Sequence, residues 1–344
     1  MEAWAIPVLF VLAGAAVWWA GSRLPHHVAA LAERLGLAPG FAGMLVLGGI
    51  TSLPELATGI SASAIGAPLL AFNNILGSAS FNLLLLALSD MVLGTRPLTS
   101  LVARPGVVIQ GVLGMILFAL VGAAIGIGDG GWGDDGWGGP VGAWSAAIFI
   151  AVIAALLVSL RAERRPMWLA LDLSGAKHAE AKEPDVKPTR APLAMLVMLS
   201  AIVVFAGGVL AWSGEAIARE TGLTTGIVGF LLVAIATSLP EASAVTGAMR
   251  RGHGELAIGE IFGSNIFNLA IIIVIDLVAR GDPVIERASE AEIAAAMLPL
   301  MLTGIFVIGL VERRDRTVLR MGPDSIAVIL AYGGGLALLL SLAR

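Results

Sequence analysis

Apolar residues fall along this chain in ten long, nearly unbroken stretches, at about 4–22, 40–65, 69–88, 106–127, 142–160, 192–213, 224–249, 256–279, 291–311 and 323–342. Roughly 20 such residues cross about 30 Å of hydrocarbon as a helix, whereas barrel strands would show short segments of alternating polarity. The pattern predicts an all-α membrane protein with ten transmembrane helices. One long polar connection, 161–191, contains RAERR and KHAEAKEPDVKPTR. Its mixed charges and prolines read as a solvated linker, too short to fold alone. It divides the spans five and five, into 1–160 and 192–344.

The two halves share a gapless repeat at an offset of 186 residues. ITSLPE at 50–55 matches ATSLPE at 236–241, and ILGSASFNL at 75–83 matches IFGSNIFNL at 261–269. From Thr51 to Leu83, 15 of 33 positions are identical to their partners, against roughly a tenth for unrelated apolar helices of this composition. The match reaches outward to about 36–97 and 222–283, through Gly36 and Gly222, Asp90 and Asp276, and Pro97 and Pro283. Five crossings separate equivalent helices, so the second copy is inverted. Inverted-topology repeats place a substrate site near the midplane, where broken helices of the two halves meet.

Each copy puts one glutamate inside an apolar span, Glu55 and Glu241. A carboxylate at that depth costs about 2.5–3.5 kcal/mol on insertion scales. Spans two, three and eight carry no Lys or Arg, and span seven has only Arg250 and Arg251 at its end. That leaves protonation or a bound cation as the compensation. Pro54 and Pro240 cannot donate to the helix and crowd the carbonyl four residues back, so each helix should break locally. The break frees carbonyls beside the hydroxyls of Thr51, Ser52, Thr237 and Ser238. On span three, Asn74, Ser78 and Asn82 recur every four residues along one face, and Glu260, Ser264 and Asn268 repeat this on span eight. Carboxylate, amide, hydroxyl and carbonyl oxygens suit hard cations such as Ca²⁺ and Na⁺ and exclude soft metals.

These paired segments on inverted halves resemble the two α-repeats of the cation/calcium exchanger superfamily, which includes sodium/calcium exchangers. The resemblance implies electrochemically driven calcium extrusion by alternating access, with Na⁺ or, as the alternative, H⁺ moving the other way and Ca²⁺ or another divalent cation as cargo. By motif position it implies ligands Thr51, Ser52, Glu55, Ser78 and Asn82, with Thr237, Ser238, Glu241, Ser264 and Asn268. The chain departs from the family pattern at Ile50 and Ala236, where Gly is usual, and at Ala79, where Asn is usual. It also departs at Asn268, often Asp, and at Glu260, often Asn. Glu55 and Glu241 alone give a site charge of −2, matching one Ca²⁺ or two Na⁺; an ionised Glu260 makes it −3.

Composition narrows the class further. With 58% apolar and 13% charged residues among 344 and a mean hydropathy of +0.92, the chain cannot be a soluble domain. There is no Cys, so thiolate ligands and disulfides are absent. No basic stripe suggests nucleic acid, and the expected partners are inorganic cations and lipid. No resident cofactor is expected, Ca²⁺, Na⁺ and H⁺ being substrates. With the N-terminus outside, 17 of the 21 Lys and Arg fall on the cytoplasmic side, as the positive-inside rule requires. The first span lacks a basic leader and cleavage pattern, so it reads as a retained helix, and the expected location is a prokaryotic inner membrane. Asp90 and Asp276 lie near helix ends and read as caps. The loop GDGGWGDDGWGG at 128–139 reads as an outer turn. Its Gly126-Ile127-Gly128-Asp129 matches the GxGD motif of intramembrane aspartyl proteases, but a second facing Asp is missing. His26, His27, His178 and His253 fall in or beside loops and suggest no metal site. An enzyme is not expected, and a cation channel is the remaining alternative from another class.

Overall fold

The computed structural model describes residues 4–24, 48–93, 97–101, 105–128, 141–164, 192–250, 254–313 and 317–342. The described chain is helical, its sole strand-type pairing being the isolated bridge between Val318 and Met321. The helices are α1 (Ala5–Gly21), α2 (Leu53–Ala64, preceded by the turn Gly48–Thr51), α3 (Pro68–Leu93), α4 (Pro105–Ile127), α5 (Ala143–Arg164) and α6 (Pro192–Thr221). They continue as α7 (Thr225–Thr237), α8 (Leu239–Arg250), α9 (Gly254–Leu269), α10 (Ile271–Val278), α11 (Glu290–Glu312) and α12 (Pro323–Leu342).

Among the described residues seven helical segments are long and apolar enough to cross a bilayer, and α7 and α8 together, bent by 47°, meet the same length and hydropathy as a pair. α1 is apolar but shorter, at 17 residues. The expected span 40–65 is described only from Gly48 onward. Most of the linker, the 129–140 part of the outer loop and all four histidines lie outside the described residues. Phe205, Leu330 and Ile150 present at least two thirds of their surface outward. Such a coat of large apolar side chains fits lipid as its solvent.

Helix ends follow local chemistry. Ser289 caps α11 in a reciprocal capping box with Glu292. Gly222, at φ +73°, closes α6 in the left-handed conformation that costs a glycine nothing. The burial gradient then shows where the centre is: 78% of the α3 span is buried, against 22% for α12. α3 touches α2, α7, α8, α9, α11 and α12. Its crossing with α7 is close because Gly77 lies against the Phe230 backbone, and Gly229 against that of Leu70. A β-carbon at either position would overlap a carbonyl oxygen.

Two aspartates fasten this core. Asp90 accepts hydrogen bonds from Leu98 N (2.7 Å), Gly322 N (2.7 Å) and the Ser325 hydroxyl (2.8 Å). Asp276 accepts from Val284 N (2.8 Å) and Gly142 N (3.0 Å). Leu98 and Val284 are again 186 positions apart. Gly142 and Gly322 each open the last helix of the opposite half, so the two braces cross between halves.

Replacing Gly77 by Val should lower stability in detergent by about 1–3 kcal/mol through overpacking, visible as a reduced Tm. Gly333→Ala, with nothing within 4 Å of the added carbon, should leave the Tm unchanged.

Candidate functional site

The site grows from two matching helix breaks. Ser52 (φ −82°, ψ 3°) and Ser238 (φ −85°, ψ 5°) leave helical geometry in nearly the same way, two residues before Pro54 and Pro240. α2 and α8 restart immediately, with Glu55 and Glu241 in their first turns. The partial positive charge of a helix N-terminus favours a carboxylate there. One turn earlier, α7 also contains a π turn, Gly229–Val233, a feature common near functional sites.

α1 and α6 pack on each other and cover the broken helices. Gly21 of α1 sits against Pro240, and Gly207 of α6 against Ala57 and Thr58. Gly21 and Gly207 are themselves repeat equivalents. Each restarted helix is thereby approached closely by a residue with no side chain.

Glu55 and Glu241 are completely buried, and so are Ser52, Ser78, Asn82, Thr237, Ser238, Ser264 and Asn268; Thr51 is 2% exposed. Ser78 donates to Glu55 Oε1 at 3.4 Å and lies 3.2 Å from the Thr237 hydroxyl. Thr237 in turn reaches Asn74 Oδ1 at 3.1 Å and Ala234 O at 3.3 Å. A hydroxyl has one proton, so Thr237 satisfies one of these acceptors at a time. On the other copy the hydroxyls of Ser52 and Ser264 meet at 3.5 Å. Ser264 also stands beside Glu241 without closing a hydrogen bond by geometry. Side chains from both repeats therefore interleave around the carboxylates.

What the protein leaves unpaired is as informative. Glu55 Oε2, both oxygens of Glu241, Ser238 Oγ, Asn82 Oδ1, both polar atoms of Asn268, Asn74 Nδ2 and Glu260 Oε1 are buried without a hydrogen-bond partner. They make nine of the fourteen such atoms among the described residues. Native interiors hold few, and each needs a reason. Glu241 is within electrostatic reach of Glu55 and, more weakly, of Glu260. Neither Glu55 nor Glu241 has an ion pair among the described residues, where Arg219 pairs with Glu215 on α6. No three His, Cys, Asp or Glu side chains gather at one metal position among the described residues. Glu260, half-buried, stands near the pair without completing a three-carboxylate cluster.

Asp90 and Asp276, expected as caps, are engaged as braces rather than turned to the site. Two features were not foreseen in the sequence. The π turn has no local signal, since GFLLV reads as ordinary helix. Asn265 is the other: it sits among the site amides, accepting from Asn82 Nδ2 and donating to Ala79 O. The available signal was Asn265 standing opposite Ala79 in the GSNIFN and GSASFN segments, which otherwise differ only at Ile266 and Ser80.

A helical membrane protein whose broken helices bring paired carboxylates into one buried polar centre has the build of a secondary transporter. The sequence profile of the sodium/calcium exchanger protein family matches residues 5–161 and 191–341, and the chain belongs to that family. CaxA of Alkalimonas amylolytica is 25% identical over 316 residues, covering 87% of this chain and 90% of CaxA. Among solved structures, the H⁺/Ca²⁺ exchanger CAX superposes with a TM-score of 0.66 at 12% identity, covering 98% of this chain and 86% of that one. The sodium–calcium exchanger NCX_Mj gives 0.58 at 17% identity, covering 97% and 99%. Both likenesses are of fold.

Asp90→Ala should remove three hydrogen bonds and lower the Tm, leaving buried donors that cost about 1–3 kcal/mol each. Calcium affinity of the folded fraction should stay close to the parent's, which a binding titration in detergent would check.

Proposed function

We propose that the protein is a secondary antiporter that exchanges Ca²⁺ for Na⁺ by alternating access. Its cation site is formed by Thr51, Ser52, Glu55, Ser78, Asn82, Thr237, Ser238, Glu241, Ser264 and Asn268, with Glu260 at its margin. The observation that carries this reading is the pair Glu55 and Glu241, buried within reach of each other's charge and surrounded by neutral oxygens instead of cations. Two negative charges in such a place favour one divalent or two monovalent cations. Either load brings the pair to neutrality, so a loaded site crosses the membrane interior without net charge, and an empty one does not. This supports obligate exchange over a channel.

Six unpartnered oxygens belong to the proposed ligands: Glu55 Oε2, Glu241 Oε1 and Oε2, Ser238 Oγ, Asn82 Oδ1 and Asn268 Oδ1. That supply falls at the lower end of the six to eight oxygens Ca²⁺ takes. The second reading is H⁺/Ca²⁺ exchange. Facing carboxylates that discharge Ca²⁺ would be neutralised by two protons as well as by two Na⁺. In either case α1 and α6, packed on each other over the two breaks, form the body that moves past the remaining helices. Residues 1–160 and 192–344 act as the inverted halves, the N-terminus faces outside, and 161–191 lies in the cytoplasm of a prokaryotic cell.

The reading is tested by calcium uptake into liposomes holding the purified protein. Uptake should require a trans Na⁺ gradient and be abolished in Glu55→Gln and in Glu241→Gln. Uptake that ignores Na⁺ and collapses with a proton ionophore would assign H⁺ coupling instead, and conductance without a gradient would make it a channel. Glu260→Gln should retain calcium flux with altered Na⁺ or H⁺ dependence; unchanged dependence would place Glu260 outside the coupling.

A further inference from the structure

Asn265 and Ala79 occupy equivalent positions of the two repeats, and the structure brings them together. Asn265 Nδ2 donates to the Ala79 carbonyl at 3.2 Å, and Asn265 Oδ1 accepts from Asn82 Nδ2 at 3.2 Å. Ala79 and Asn82 are fully buried, and Asn265 is 3% exposed. The oxygen and nitrogen of a side-chain amide are nearly the same size, so its partners decide which way round it sits. A backbone carbonyl only accepts. Asn265 must therefore turn its NH₂ to Ala79 and its oxygen to Asn82. Asn82 must then turn its own NH₂ to Asn265, which leaves its oxygen without a protein partner.

The other copy lacks this relay. Asn268 is the equivalent of Asn82, but the equivalent of Asn265 is Ala79, whose methyl neither donates nor accepts. Both polar atoms of Asn268 are unpartnered, and no hydrogen bond among the described residues selects its orientation. The two repeats thus offer the site one amide that is preset and one that is free.

We propose that Asn265 is a positioning residue that holds the Asn82 carbonyl oxygen toward the transported cation, making one half of a twofold-related site rigid and the other adaptable. The inference rests on the reading of Asn82 as a cation ligand. Without Asn265 the Asn82 amide turns over, and an empty site lined by the Glu55 and Glu241 carboxyl groups favours the orientation that presents its NH₂. In the flipped state it offers the cation the positive end of its dipole, and binding must select the minority orientation.

A double-mutant cycle tests this through calcium binding to the purified full chain in detergent. Asn265→Leu keeps the branched shape of the side chain and removes both hydrogen bonds, and should weaken calcium binding about tenfold, equivalent to about 1.4 kcal/mol. In an Asn82→Asp background the side chain carries oxygen on both sides and orientation no longer matters. There Asn265→Leu should cause no loss, or a gain. An equal loss in both backgrounds would overturn the proposal, since it would mark a role in packing alone. If Asn265→Leu fails to fold, as judged by its melt, Asn265→Ala takes its place in the same cycle with the same criteria. Glu55→Gln and Glu241→Gln serve as reference: calcium binding unaffected by these would show that the assigned site itself is wrong, independently of Asn265.

Discussion

Two carboxyl groups buried within reach of each other govern the rest of this structure. Glu55 and Glu241 are fully buried, feel each other's charge, and have no basic partner among the described residues. In a typical protein one member would be replaced, or an arginine would be recruited. Here the surroundings are neutral oxygens, some engaged with one another and many left unpaired. The helix N-termini of α2 and α8 and the hydroxyl of Ser78 give partial compensation. The remainder is supplied in the proposed cycle by the cargo, so stability and transport draw on the same electrostatics.

Such a centre needs a frame that does not relax to relieve it. The frame is α3 with its partners, crossing α7 at Gly77 and Gly229 with backbones in contact. Asp90 and Asp276 tie the ends of the repeat helices to the first turns of α12 and α5, across the division between halves. α1 and α6 are different in kind. They pack on each other, and α6 meets α2 through glycine and small side chains. The molecule thus pairs an interlocked core with a two-helix cover lying directly over the breaks.

Much of this was legible in the residues because it rests on composition and repetition. Apolar length marks a membrane helix, a duplicated TSLPE marks a duplicated break, and a glutamate inside an apolar span with no basic neighbour marks the candidate site. The break itself fell at Ser52 and Ser238 rather than at the prolines, because a proline disturbs the turn before it. What stayed hidden depends on contacts across 150 residues or more. Thr237 with Ser78 and Asn74, and Asn265 with Ala79 and Asn82, join residues whose proximity no periodicity encodes. The π turn in α7 was equally silent, since GFLLV carries the same apolar pattern in either helix type.

The central claim is that the paired carboxylates repel until a cation joins them, and thermal melting of the purified protein reads that directly. A ligand that binds only the folded state raises its stability by an amount set by concentration over Kd. The parent should therefore melt higher with Ca²⁺ than in chelator. A variant carrying both Glu55→Gln and Glu241→Gln should melt above the parent in chelator and gain nothing from Ca²⁺. A parent indifferent to Ca²⁺, or a doubly neutralised variant that Ca²⁺ still stabilises, would contradict the account.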